Sequence, residues 1–223
     1  MSDFGVIFDF NGVLVDDFEL QRGAWSAVTN DLGLGDVTRD DMMKLRGKPI
    51  RDIASDLSKK SGRTIDPQVL AAKKEAITEE LAKNPTYTLA NGLEKFLDEL
   101  KANKVPITIA TSSTPDMFDF VFERLNLSRW FTKEIAIVND GSYPGKPSPD
   151  AYIMACQKLN LSPATCIVFE DSIAGITAAN LANIGHIVAV GSDPILSVTT
   201  TLSGVSRGIH DFTEINYEEL TEI

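Results

Sequence analysis

The chain has 223 residues, 43% of them hydrophobic, and a formal net charge of −11 at pH 7. That size suits one ordinary domain or a domain with a large insert, and the negative field with no local basic patch argues against nucleic acid or an anionic membrane as partner. No apolar run approaches the roughly 18 residues of a membrane span, and the opening MSDFGVIFDF lacks the basic start of a secretion signal. A cytoplasmic enzyme or binding protein is expected, and nothing in the sequence points to a protein partner.

In chain order, GVIFDF (5–10) is the first expected strand, too continuously apolar to have a wet face. The interval 17–85 holds helical patterns (ELQRGAWSAVTNDLG, RDDMMKL, PIRDIASDLSKK, DPQVLAAKKEAITEELAK) and no convincing strand. It reads as an inserted helical domain, bounded near Asp16 and near Asn84-Pro85, where proline stops the preceding helix. Trp25 and Met42-Met43 read as its core. NGLEKFLDELKANK (91–104) places Asn91 and Glu94 in capping-box spacing, followed by Leu93, Phe96, Leu97 and Leu100 on one face.

Strands VPITIAT (105–111), IAIV (135–138), CIVFED (166–171) and HIVAV (186–190) follow. Thr114-Pro115 starts one intervening helix and SIAGITAANLAN (172–183) forms another. This βαβ repetition predicts an α/β fold: a doubly wound parallel sheet of residues 1–16 and 86–223, with the helical insert at 17–85. TEINYEELTEI at the end reads as a short amphipathic helix. Cys156 and Cys166 lie in apolar contexts and read as buried free thiols, while His186 and His210 lack partners spaced for a metal and read as structural.

Sites in open α/β sheets form beyond the carboxyl ends of the strands. Asp9 ends the first expected strand, Thr111 and Ser112 the second, Lys146 follows the third, and Glu170 and Asp171 end the fourth. Singly, each has an ordinary alternative: an aspartate caps a helix, Thr-Ser makes a turn, a loop lysine is solvated. Six polar residues from four separate segments at one rim are harder to dismiss.

The segments DFNGVLVD (9–16), IATSS (109–113), GKPSPDAY (145–152) and VFEDSIAGITAA (168–179) resemble those of haloacid dehalogenase (HAD) superfamily phosphohydrolases with a helical cap after the first strand, a subgroup similar to β-phosphoglucomutases and small sugar-phosphate phosphatases. The resemblance implies a HAD-like Rossmannoid core and a cap that matches only in length and helicity. It makes Asp9 the nucleophile that forms an aspartyl-phosphate on a small phosphorylated metabolite. Mg²⁺ would be held by Asp9, Glu170, Asp171 and the main-chain carbonyl of Asn11, while Thr111, the Ser112 N–H and Lys146 would bind the phosphoryl oxygens. Dehalogenases of this fold work without Mg²⁺, so the Glu170-Asp171 pair favours phosphoryl chemistry.

Asn11 departs from the pattern. Relatives usually carry an aspartate there as proton donor and acceptor, and an amide cannot exchange a proton at neutral pH. An attenuated phosphatase is therefore expected, with a phosphometabolite-binding protein lacking turnover as the alternative. A β-phosphoglucomutase-like phosphomutase ranks third, because Gln21 stands where mutase relatives carry histidine. Arg46, Lys48 and Arg51 read as solvated bases at a helix end in preference to substrate readers.

Overall fold

A computed structural model of the chain describes residues 3–45, 50–82 and 87–222. The elements are β1 (Gly5–Phe8), β2 (Val15–Asp16), α1 (Phe18–Asp31), α2 (Arg39–Leu45), α3 (Ile50–Ser61), α4 (Pro67–Ala82), β3 (Thr88–Leu89), α5 (Leu93–Ala102), β4 (Ile107–Thr111), α6 (Pro115–Arg124), β5 (Ile137–Val138), α7 (Asp150–Leu159), β6 (Cys166–Glu170), α8 (Ile173–Leu181), β7 (His186–Val190), α9 (Asp193–Thr199), β8 (Val205–Ile209) and α10 (Tyr217–Leu220). Contacts divide them into two compact units, Met1–Asp16 with Tyr87–Ile223, and Asp17–Thr86.

In the larger unit six strands form one parallel sheet in the order β5-β4-β1-β6-β7-β8. The chain builds β4 and β5 on one side of β1, then returns to lay β6, β7 and β8 on the other, so β1 lies at the reversal of strand order. Strand alternation sends successive residues to opposite faces. Ile7, Ala110, Val168 and Ile187 face one core with Tyr152, Ala155 and Cys156 of α7 and Ile176 and Ala179 of α8. The next residues along, Phe8 and Phe169, stack at 5.2 Å in a second core with Phe96, Phe131 and Phe212. Each fully buried large apolar side chain is worth roughly 1.5–3 kcal/mol, so these layers hold the strand ends rigidly.

The smaller unit is helical throughout its described elements, around Trp25, Val28, Val37, Met42, Ile53, Ala54, Leu57 and Leu70. The expected boundary at Asn84-Pro85 lies outside the described residues.

Three local expectations are revised. The IAIV strand shrinks to Ile137–Val138, because Lys133–Ile135 forms a 3₁₀ turn whose Ile135 carbonyl accepts from the Thr108 hydroxyl at 2.8 Å. β8 adds a sixth strand; its half-buried, mixed-polarity VSRGI sequence gives a weak strand signal. The Asn91-Glu94 capping box does not form. Gly92 is the N-cap of α5, while Asn91 donates to Asp211 and Glu94 pairs with Arg129. At the other end of the chain, Asn216 and Glu219 do form a capping box, at the start of α10.

Candidate active site

Asp9 follows β1 directly, and its N–H still donates to the Phe169 carbonyl at 3.0 Å. The sheet register thus runs one residue past the strand and fixes Asp9 at the carboxyl edge. The chain then turns tightly: Gly12 has φ +86°, and its N–H donates to the Val15 carbonyl at 2.9 Å. Buried Phe10, Val13 and Leu14 anchor this turn. Asn11 points its amide at β4's end, where Nδ2 donates to Ser113 Oγ at 2.7 Å. Thr111 is buried and accepts from the Ser113 N–H at 3.0 Å, while Ser112 is exposed.

Lys146 reaches this edge from the loop between β5 and α7, which is braced by Asn139 and Asp140 accepting from N–H groups two residues on. Its ammonium donates to Asp9 Oδ1 at 2.5 Å, Glu170 Oε1 at 2.6 Å and the Ala110 carbonyl at 3.1 Å. All three donors of the ammonium are thereby used.

Glu170, the last residue of β6, is fully buried. Its Oε1 accepts from Lys146 and from the Tyr152 hydroxyl at 2.9 Å, and its Oε2 from the Ser172 N–H at 2.9 Å and Ser172 Oγ at 3.0 Å. Asp171 completes the cluster: one oxygen from each of Asp9, Glu170 and Asp171 lies within 4.8 Å of the others.

The electrostatics follow from burial and charge. Burial pushes Asp9 up to about 8 against the pull of Lys146, and the Glu170 and Asp171 charges push the same way. Burial alone would raise Glu170, yet Lys146 and its hydrogen bonds hold it below the usual carboxylate range. Burial likewise disfavours the Lys146 charge, and the Asp9 and Glu170 carboxylates more than reverse that. Lys146 therefore offsets the charge of both buried carboxylates, while burial and the neighbouring negative charges oppose the ionised form of Asp9.

This donor set suits a hard divalent cation. Oxygens sharing one octahedral Mg²⁺ lie about 3 Å apart when adjacent and about 4.2 Å apart when opposite, so the three carboxylates, already within 4.8 Å of one another, would draw closer around a bound cation.

The structure thus brings Asp9, Asn11, Thr111, Lys146, Glu170 and Asp171 to one sheet edge, with Ser112 beside them. Sequence reasoning missed Ser113, Tyr152, Ser172 and Gly175. All four lie within the segments that carry the family resemblance, but hydrogen-bonding to a glutamate 18 residues away, or locally across a bend, has no spacing signature. Gly175 leaves room for Glu170, since a Cβ there would sit 1.6 Å from Oε1.

In the helical unit, Gln21 donates to Asp17 at 2.7 Å and accepts from Lys74. Burial lowers Lys74 although Asp17 opposes the shift. Arg51 is largely exposed beside Asp52, while Arg46 and Lys48 lie outside the described residues. Cys156 and Cys166 are buried and free. His186 meets Ser206, and His210 bridges Asp193 and Glu214.

The carboxyl edge of the parallel sheet gathers three carboxylates, a buried lysine and a threonine, a donor set with the chemistry to hold a cation beside an anionic ligand. Residues 6–189 match the model of the haloacid dehalogenase-like hydrolase family, and the chain belongs to that family. A phosphorylated carbohydrates phosphatase of Thermotoga maritima is 30% identical over 190 residues, covering 83% of this chain and 84% of that protein. A fructose-1-phosphate phosphatase of Escherichia coli is 28% identical over 180 residues, covering 80% and 92%. Among solved structures, a HAD hydrolase of family IA, variant 3, from Entamoeba histolytica superposes with a TM-score of 0.80 at 29% identity, covering 98% of each chain.

Proposed function

We propose that this chain is a Mg²⁺-dependent phosphohydrolase acting on a small phosphorylated metabolite through Asp9, with turnover attenuated by Asn11. The observation that carries the reading is the Lys146 ammonium bridging Asp9 and Glu170 at the sheet edge, with Asp171 alongside. The named phosphatases among its relatives support a phosphorylated carbohydrate or similar metabolite as substrate.

In this mechanism a carboxylate oxygen of Asp9 attacks phosphorus, the phosphorus–ester oxygen bond breaks, and the leaving oxygen takes a proton. Water then attacks phosphorus of the aspartyl-phosphate, loses a proton, and releases inorganic phosphate with Asp9 restored. Lys146 separates the negative charges of nucleophile and phosphoryl group, and Thr111 with the Ser112 N–H would bind phosphoryl oxygens. Asp9, Glu170, Asp171 and the Asn11 carbonyl would hold Mg²⁺, which when bound offsets the charge of the carboxylates and the phosphoryl group. The helical unit, 17–85, would serve as the cap, and the protein would work in the cytoplasm.

Asn11 can donate a hydrogen bond, as it does to Ser113, but it transfers no proton to the leaving oxygen and takes none from water. General acid–base catalysis is worth about 10²–10⁴-fold, so both steps should be slow. A phosphate-ester panel with Mg²⁺ should show Asn11→Asp exceeding the parent by at least about 10²-fold. Peptide mass mapping of the parent must accompany it, because Asn-Gly deamidation would create the same acid. If Asn11→Asp is inert across the panel, catalysis yields to the second reading, a phosphometabolite-binding protein, which the Asn11–Ser113 hydrogen bond favours. Rapid turnover by undeamidated parent would overturn the role given to Asn11. A phosphomutase is disfavoured by Gln21, whose amide is engaged by Asp17 and Lys74; efficient isomerisation of a hexose phosphate in the presence of its bisphosphate would reverse that ranking.

A further inference from the structure

We propose that Tyr152 is a positioning residue: its hydroxyl fixes the Glu170 carboxylate so that Glu170 keeps one orientation whether or not Lys146 is bonded to it. The inference rests on the metal-site reading above and deepens it.

Glu170 carries four acceptor positions, and four donors occupy them: Lys146 and Tyr152 on Oε1, the Ser172 N–H and hydroxyl on Oε2. These donors differ in kind. Ser172 sits two residues away at the N-cap of α8, and Tyr152 is wedged at 0% exposure between α7 and the sheet. Lys146 hangs on a flexible stem and also bonds Asp9 and Ala110. When the ammonium follows a phosphoryl group or a cation shares Oε1, Tyr152 is the remaining fixed donor on that oxygen. The aromatic ring serves the lysine too, lying 4.9 Å beneath its ammonium.

Packing alone does not call for a tyrosine. Phenylalanine would fill the same space, and a hydroxyl buried at 0% exposure is costly unless it is bonded. Its bond goes to Glu170, the one buried carboxylate of the cluster at full burial. Gly175 bounds the remaining side: a Cβ there would lie 1.6 Å from Oε1 and 1.9 Å from the carboxylate carbon. Tyr152, Ser172 and Gly175 together leave the carboxylate a single seat. Removing an outer partner of a metal-binding carboxylate usually weakens metal affinity by about 10–100-fold.

The test is thermal unfolding of the full chain across a Mg²⁺ titration, for parent, Tyr152→Phe and Gly175→Ala. Tyr152→Phe should raise the Mg²⁺ concentration for half-maximal stabilisation by at least about tenfold, beyond the modest drop in its EDTA midpoint that loss of one donor to a buried carboxylate brings. Gly175→Ala, which crowds the same carboxylate from α8 without touching the hydroxyl, should raise it likewise. A purely structural hydroxyl would lower the EDTA midpoint but leave half-saturation unmoved, and that result overturns the proposal. So does a Tyr152→Phe protein that fails to fold. If the parent shows no response to Mg²⁺, the metal-site reading fails and takes this one with it; if the parent responds and Tyr152→Phe matches it, only the role of Tyr152 is lost.

Discussion

Lys146 and His210 show how two cations of one chain differ in what their charges do. Lys146 is almost entirely buried among two carboxylates and a carbonyl, so removing its ammonium leaves uncompensated charge inside the protein. Breaking such a pair costs about 3–5 kcal/mol, and Lys146→Met should lose stability on that order in urea unfolding without Mg²⁺. Recovery of part of the loss with millimolar Mg²⁺ would show that cation and ammonium answer the same carboxylates; no loss at all would mean the ion pairs contribute little. His210 is exposed, and Asp193 first and Glu214 second raise its pKa, with Asp211 nearby. A raised folded-state value means that its stabilisation is complete below the unfolded value of about 6.5 and disappears as pH rises through the folded value. His210→Gln should therefore melt below the parent at pH 6 and with it at pH 9, and added salt should shrink the difference. Equal midpoints at both pH values would remove any role for the charge.

At the scale of elements, ends are decided by contacts that propensity does not contain. Asn91 and Glu94 have the right spacing for a cap, but both side chains find partners elsewhere, Asp211 and Arg129. The N-cap passes to Gly92 at φ +76°, whose missing Cβ admits the backbone of the Phe212–Glu214 turn: a Cβ would lie 2.6 Å from the Thr213 nitrogen and 2.7 Å from the Phe212 carbonyl carbon. Gly92→Ala should cost at least about 1–3 kcal/mol in urea unfolding from the left-handed conformation alone. Because Phe212 packs on Phe8, Phe96 and Phe169, near-ultraviolet circular dichroism should change as well. A neutral substitution would mean that the turn moves aside freely. The helices with strong apolar faces, such as α5 with Leu93, Phe96, Leu97 and Leu100 buried, were legible as helices from spacing alone.

For the whole molecule, the expected consequence of gathering three carboxylates at one edge is linkage between cation and folding. Mg²⁺ at about 100 times its dissociation constant adds about 2.7 kcal/mol, or roughly 5–10 °C at 2–4 °C per kcal/mol for a chain of this size. Differential scanning calorimetry with Mg²⁺ and with EDTA measures it, and an unchanged midpoint at millimolar Mg²⁺ would count against the site. Among the described residues no helix is long and apolar enough to cross a membrane.

The amino-acid sequence by itself determined the alternation of buried strands and amphipathic helices, because hydrophobic period is a local property, and it placed Asp9, Thr111, Glu170 and Asp171 at strand ends and Lys146 in the loop after a strand, because a motif at or beyond the end of an apolar run marks the sheet's edge. What the tertiary structure decided depends on distance through space. β8 lies beside β7 because a weakly apolar segment found an open sheet edge. Lys146, 137 residues from Asp9 and 24 from Glu170, bonds both because β1, β4 and β6 are adjacent. Tyr152 and Gly175 close around one glutamate through contacts that carry no periodic signal, since a single hydroxyl or a missing Cβ leaves no trace in a pattern of hydrophobic spacing.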